Sequence, residues 1–148
     1  MMAMTSVMGT EAAHWASAWL GRLWRAGGRG PEVFDCWGLF LAVQRSRFGR
    51  DLPEIPVDAL NLRAVIQTFR DHPQRQHWRL VDSALEGDAV LMRQSRYPVH
   101  VGVWLAADLG GVLHCVQGAG VVFQSESALA QHGWRIAGFY RFWEKACQ

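Results

Sequence analysis

The sequence predicts an α+β domain in which N-terminal helices pack on one face of an antiparallel sheet. Apolar residues recur at helical spacing in the first half of the chain and at strand spacing in the second half. Half of the 148 residues are apolar and 19% are charged, which is typical of a globular chain. Because we find no internal repeat, low-complexity tract or linker, we expect residues 1–148 to form a single domain.

Three helices are predicted in the first half of the chain. The first spans Thr10–Arg25 and ends at a Gly-Gly pair, because glycine commonly terminates helices. The second has Asp35 as its N-cap and continues to Phe48. The third spans 58–71 and ends before a proline, which cannot continue a helix.

The second half of the chain predicts a meander of short strands separated by glycine-rich turns. A short helix is expected over Ser127–His132, before the last strand. The predicted strands are Trp78–Val81, Ala89–Met92, Val99–Leu105, Val112–Gln117, Val121–Gln124 and Trp134–Phe142.

Cys36 lies in the predicted first turn of the second helix. The first turn of a helix leaves backbone N–H groups unpaired and carries a partial positive charge. Such surroundings favour a thiolate, which is the reactive form of cysteine. A cysteine nucleophile at this position requires a base from elsewhere in the chain.

Two histidines on neighbouring predicted strands are the candidates. His100 alternates with valines, so its side chain is expected on the sheet face opposite to theirs. His114 lies on the returning strand of the same hairpin, which allows the two rings to lie side by side. A helix that starts at Cys36 and packs across this sheet would complete a nucleophile, a base and an orienting group.

The expected roles follow from the chemistry of each group. Cys36 attacks a carbonyl as thiolate, while His100 stabilises that thiolate as imidazolium and then protonates the leaving amine. His114 accepts a hydrogen bond from the other nitrogen of His100 and so fixes its tautomer. Backbone N–H groups at the helix start would hold the oxyanion.

Each of these residues also has a plainer interpretation. A lone cysteine in an apolar stretch is usually a core residue, and a histidine on a strand is more often structural. The cysteine and the two histidines together favour a catalytic role more strongly than either part of the pattern does alone. Cys115 is expected to face the core, and no pairing is predicted for the remaining histidines, which are His14, His72, His77 and His132.

Composition excludes several classes of function. A net charge of +2 gives no argument for a nucleic-acid partner. Three cysteines without a Cys-x-x-Cys pair predict no zinc site and no disulfide framework, and no cofactor or metal is expected. Met1–Thr10 lacks the features of a secretory signal, and no apolar run is long enough to span a membrane. We therefore expect synthesis in the cytoplasm without a signal peptide.

Five segments stand in a characteristic order along the chain: Gly21–Gly28, Phe34–Leu39, Gly87–Val90, His100–Val103 and Val112–His114. This order of motifs resembles the NlpC-type (NlpC/p60) cell-wall cysteine peptidases. The resemblance extends from about Trp19 to Tyr140.

This resemblance implies a papain-like fold, with Cys36 as nucleophile, His100 as base and His114 as the third polar residue. It implies hydrolysis of the amide between D-glutamate and a diamino acid in the peptidoglycan stem peptide. Trp24 stands where family members often carry a tyrosine that assists the oxyanion hole, and Trp37 replaces the usual serine after the nucleophile. Together with Asp35, these two tryptophans are the predicted substrate-binding residues.

The Asp-Cys-Trp-Gly form is similar to versions found in bacteriophage tail-tip and tail-assembly proteins. That likeness implies a peptidase in the virion tail that acts on the bacterial cell wall, with other tail-tip or hub proteins as partners. One alternative is a structural tail-tip subunit whose peptidase site is weak or silent. Another is a relative that acts on a different amide, as an amidase or acyltransferase.

Overall fold

The structure is a computed structural model that describes residues 15–52, 78–94 and 100–142. Its helices are α1 (Cys36–Phe48) and α2 (Glu126–Gln131), with a 3-10 turn over Ala107–Leu109. The strands are β1 (Leu23–Trp24), β2 (Val33–Phe34), β3 (Trp78–Val81), β4 (Ala89–Arg93), β5 (His100–Leu105), β6 (Gly111–Val116), β7 (Gly120–Gln124) and β8 (Arg135–Phe142).

The main sheet has six strands in the order β3-β8-β4-β5-β6-β7. Every neighbouring pair is antiparallel. The strands from β4 to β7 form the expected meander, and β8 returns to lie between β3 and β4. The predicted α+β class with an antiparallel sheet is confirmed.

The two faces of the sheet bury separate apolar clusters. Helix α1 packs on the face that carries Val101, Val103 and Leu113. The opposite face buries a smaller cluster around Val112, on which Leu129 of α2 packs. Because side chains alternate along a strand, the histidines of β5 and β6 lie on this second face. The predicted orientation of His100 away from the valines is therefore confirmed.

The predicted helix over Thr10–Arg25 is wrong in its second half. Residues 15–17 are helical, whereas Leu23–Trp24 forms β1 and pairs in parallel with β2. Gly21 adopts a φ of +85°, which ends the helical path, and its N–H donates to the Val121 carbonyl oxygen at 3.0 Å. Pairing with a distant strand therefore outweighs the local helical pattern.

The other predicted elements agree with the structure where the chain is described. Strand β3 matches its prediction at both ends, and α2 begins and ends one position before the expected helix. The hairpin between β5 and β6 contains the 3-10 turn, with φ values of 55° at Asp108 and 69° at Leu109. The predicted helix over 58–71 and the first strand residue, Val99, lie outside the described residues.

Candidate active site

Asp35 connects the start of α1 to the preceding loop. Its carboxylate accepts hydrogen bonds from the N–H of Gly38 at 2.7 Å and from the N–H of Gly27 at 3.1 Å. Arg29 donates to the same carboxylate at 2.8 Å, and the Asp35 side chain is 2% exposed. The predicted N-cap is confirmed, and these bonds place Cys36 as the first residue of the helix.

Two glycines allow the loop to lie directly against the helix start. A Cβ atom at Gly38 would overlap the carbonyl oxygen of Gly28. That oxygen accepts from the N–H of Asp35 at 3.1 Å, so the loop cannot move away without losing the bond. The close packing therefore requires a residue without a side chain at position 38.

The Cys36 thiol is half-buried and lies close to backbone donors. Burial raises the pKa of Cys36 to about 11, and the N–H groups of Val101 and Trp37 lower it by a smaller amount. The helix start thus acts in the expected direction, but desolvation is the larger effect. At neutral pH the side chain is a thiol, and a base must remove its proton before attack.

The Val101 N–H points toward β6, where the two strands diverge. Trp104 donates to the Asp88 carbonyl oxygen on the β4 side. Alternate residues along a strand donate to opposite neighbours, so the Val101 N–H is directed to the other side. Pairing of β5 with β6 covers Val103–Leu105, which leaves this N–H for the Cys36 thiol.

His100 and His114 form a buried pair on the second face of the sheet. The Nε2 atom of His100 lies 2.8 Å from the Nδ1 atom of His114, and the side chains are 8% and 0% exposed. Burial lowers the pKa of His100 well below its usual value and that of His114 to about 4. Both rings are therefore neutral near pH 7.

Gly102 provides the space for this pair. A Cβ atom at Gly102 would overlap Val112 and would lie 3.0 Å from the Cβ atom of His114. Any side chain at position 102 would push β6 away from β5 and lengthen the bond between the histidine rings.

Trp134, just before β8, covers the pair. Its ring stacks on His100 with centroids 4.4 Å apart and planes at 23°. It also meets the His114 ring edge-on at 5.9 Å and 82°. The indole therefore shields the hydrogen bond between the two imidazoles from water. Sequence reasoning placed Trp134 in a strand and missed this contact.

Gln124, the last residue of β7, extends the series of hydrogen-bonded side chains beyond His114. Its Oε1 atom lies 2.7 Å from His114 Nε2, and its Nε2 atom lies 3.2 Å from Nδ1 of His132. The sequence offered no pairing for His132, and the structure places its Nδ1 atom 2.9 Å from the Ala128 carbonyl oxygen. The register of the hairpin around Gly118 was the available signal, because it places positions 114 and 124 on one face.

The structure brings the two histidines together and places Cys36 beside the strand that carries one of them. Within the described part of the chain, no hydrogen bond joins Cys36 Sγ to His100. The link between them is Val101, which follows His100 and directs its N–H to the thiol. The catalytic roles of the three residues remain predictions.

The predicted substrate-binding residues surround the start of α1. Trp24 pairs with Phe34 in the small parallel sheet and packs partly buried against the core. Trp37 packs on Phe40 with ring centroids 5.2 Å apart. Asp35 is buried among its hydrogen-bond donors. The assignment of these three residues to substrate stays a prediction.

Cys115 is a core residue, as predicted. Its side chain is fully buried and donates to the Phe34 carbonyl oxygen at 3.3 Å. Burial raises the pKa of its thiol to about 12. Both described cysteines are free, while Cys147 and the histidines at 14, 72 and 77 lie outside the described residues.

Across 15–52, 78–94 and 100–142, no group of three or more His, Cys, Asp or Glu side chains is arranged to hold a metal ion. None of the helices in these ranges has the length and apolar character that crossing a membrane would require.

Comparison with known proteins identifies similar folds. A family model described as NlpC/P60 family matches residues 21–137. NlpC2 from Trichomonas vaginalis superposes with a TM-score of 0.62 at 20% identity, covering 90% of this chain and 46% of that one. A Staphylococcus aureus protein described as similar to lipoprotein, NLP/P60 family, gives 0.57 at 20% identity, covering 97% and 43%. The NlpC/p60 domain of the peptidoglycan hydrolase SagA gives 0.56 at 23% identity, covering 87% and 93%.

The chain spans less than half the length of the NlpC2 structure and of the Staphylococcus aureus structure. No curated protein matches the sequence. The superpositions confirm the papain-like α+β fold expected from the motifs.

Proposed function

Because the chain belongs to the NlpC/P60 family, whose members are cysteine peptidases, we propose that it hydrolyses an amide bond in peptidoglycan stem peptides. The observation that carries this proposal is the hydrogen bond of 2.8 Å between His100 and His114, on the strand whose next N–H meets Cys36. A peptidoglycan hydrolase among the similar structures supports the choice of substrate.

The proposed reaction starts from a neutral thiol and a neutral imidazole. His100 removes the Cys36 proton as the sulfur attacks the carbonyl carbon, and the negative charge forms on the carbonyl oxygen. Backbone N–H groups at the start of α1 stabilise that oxyanion. His100 then gives the proton to the leaving amine, and water hydrolyses the acyl-enzyme with His100 as base.

We propose that the scissile bond joins D-glutamate to a diamino acid, as in the family that the motifs resemble. The proposed setting is a bacteriophage tail tip or tail assembly, from which the enzyme acts on the bacterial cell wall. The Asp-Cys-Trp-Gly form at 35–38 supports this setting. Other tail proteins would be its binding partners.

A second candidate function is a structural tail-tip subunit with a weak or silent peptidase site. Two observations favour it: the pKa of Cys36 is raised to about 11, and no hydrogen bond joins this thiol to His100 within the described residues. A site of this kind would form acyl-enzyme slowly.

Digestion of purified muropeptides distinguishes the two functions. We expect peptide-bond cleavage by the wild type and none by Cys36→Ala. Cys115→Ala is the matched control, since it removes the buried core thiol and should retain cleavage. Mass spectrometry of the products identifies the bond. Cleavage by neither the wild type nor the control would favour the structural subunit.

A further inference from the structure

Gln124 is placed to act on the histidine pair from the side opposite to His100. It ends β7, where it pairs with Val112 across the hairpin. Side chains at 112, 114 and 124 share one face of the sheet. Its amide oxygen reaches the Nε2 atom of His114 at 2.7 Å, within the range of a strong hydrogen bond.

The chemistry of the amide determines where the protons lie. An amide oxygen only accepts, so the Nε2 atom of His114 must carry the proton of that bond. Neutral His114 then has an unprotonated Nδ1, which accepts from the Nε2–H of His100 at 2.8 Å. Neutral His100 is left with a lone pair on Nδ1, the nitrogen that a general base needs.

His132 lies beyond the other end of the same amide. Its Nδ1 atom is 2.9 Å from the Ala128 carbonyl oxygen near the end of α2, and a carbonyl oxygen only accepts. This Nδ1 therefore carries a proton, and its contact of 3.2 Å with the Gln124 Nε2 atom does not orient the amide. The orientation of the amide rests on the 2.7 Å contact between its oxygen and His114.

If the Gln124 amide were reversed, donor and acceptor would exchange roles in every hydrogen bond from Gln124 through His114 to His100. An N–H directed at His114 Nε2 would require the His114 proton on Nδ1. The Nε2 atom of His100 would then accept, and its Nδ1 would carry a proton. In that tautomer His100 cannot receive the proton of a thiol.

We propose that Gln124 is a positioning residue that sets the tautomers of His114 and His100. This inference rests on the proposed function in one respect, since it takes His100 as the base. Gln124 does not touch the reacting atoms, and its effect reaches them through His114.

Nitrogen-15 NMR of histidine-labelled protein at pH 8 tests the tautomers directly. In the wild type we expect His114 to carry its proton on Nε2 and to have an unprotonated Nδ1. Gln124→Met should give a mixture of tautomers at His114. Gln124→Glu, which keeps an acceptor, should retain the wild-type tautomer. A proton on His114 Nδ1 in the wild type, or no change in Gln124→Met, would overturn the inference.

Muropeptide kinetics provide the second readout. Gln124→Met is expected to lower kcat about ten- to a hundredfold with little change in KM, the cost of one lost hydrogen bond to a charged intermediate. Gln124→Glu should recover most of this loss. The matched control is Gln131→Met, an exposed glutamine of α2, which should behave as the wild type. Equal rates for Gln124→Met and Gln131→Met would contradict the positioning role.

The two readouts separate the inference from the proposed function. If the wild type cleaves no muropeptide but shows the expected tautomers, and these change in Gln124→Met, the proposed function fails while the role of Gln124 is supported. If the wild type cleaves and the tautomers do not depend on Gln124, the inference fails alone.

Discussion

At the scale of single residues, the histidine pair is neutral because it is buried. A charged imidazole in the sheet would lose its hydration, and no carboxylate contributes to the shifts of either ring. The pair therefore enters the proposed reaction as a base that needs no prior deprotonation near pH 7. Protonation of His100 at low pH would remove the group that accepts the Cys36 proton.

The pH dependence of cleavage follows from this state. Because the pKa of His100 lies well below 6.5, the neutral base is present above that lowered pKa and is lost as the pH falls through it. We expect kcat/KM for muropeptide to be constant from pH 7 to 8 and to decline at a pH clearly below 6.5. An acid limb centred at 6.5 or above would contradict this expectation.

Trp134 should influence both stability and this acid limb. Trp134→Ala removes a half-buried ring and is expected to lower the free energy of unfolding by about 2 kcal/mol, less than for a fully buried tryptophan. Water would reach the histidine pair and raise the pKa of His100 toward 6.5. Urea unfolding and the pH profile measure the two effects. Trp134→Phe is the control, since it keeps a stacked ring and should shift the limb less.

At the scale of elements, the start of α1 combines a helix cap with an ion pair. Asp35 caps the helix, binds the preceding loop and pairs with Arg29. Its negative charge also raises the pKa of Cys36, and the Arg29 guanidinium opposes that effect. Structural order and thiol reactivity therefore depend on the same carboxylate.

Two substitutions at position 35 separate these effects. Asp35→Ala removes the cap and should lower the free energy of unfolding by about 1–2 kcal/mol. Asp35→Asn keeps a capping oxygen but removes the charge, so it should lower the pKa of Cys36 and speed its alkylation. Iodoacetamide labelling at pH 8, read by mass spectrometry, tests this rate. Cys115 is the internal control, because it is fully buried. Slower labelling of Cys36 in Asp35→Asn would contradict the electrostatic argument.

At the scale of the whole molecule, buried neutral histidines make stability depend on pH. The unfolded chain binds a proton at His114 below pH 6.5, whereas the folded chain resists protonation down to about pH 4. Stability is therefore greatest above 6.5 and is lost as the pH falls toward 4. His114 alone should account for about 2 kcal/mol between pH 7 and pH 5.

Urea unfolding at pH 7 and pH 5 measures this dependence. We expect the free energy of unfolding of the wild type to fall as the pH is lowered from 7 to 5. A histidine paired with a carboxylate would change stability in the opposite direction, because its pKa is raised in the folded state. His114→Gln removes the titrating ring and should show a smaller loss. A wild type as stable at pH 5 as at pH 7 would show that the pair is not neutral in the folded state.

Much of the fold was accessible from local patterns. Alternation of valines with His100 predicted which face of β5 carries the imidazole, because the pleat has a period of two. Asp35 before an apolar helical run predicted the cap. The helix over Thr10–Arg25 failed after residue 17, because the backbone of Gly21 pairs with Val121 a hundred positions later. Local periodicity contains no information about such a partner.

The features of the candidate site can likewise be separated into those that local sequence predicted and those that required the folded structure. The sequence by itself determined the α+β class, the capped helix that begins at Cys36 and the hairpin that brings His100 beside His114. Only the tertiary structure decided the insertion of β8, the cover by Trp134, the chain through Gln124 and the raised pKa of Cys36. Spacing along the chain encodes which face a side chain occupies. Burial and long-range contacts depend on every segment at once, and so they exist only in the folded molecule.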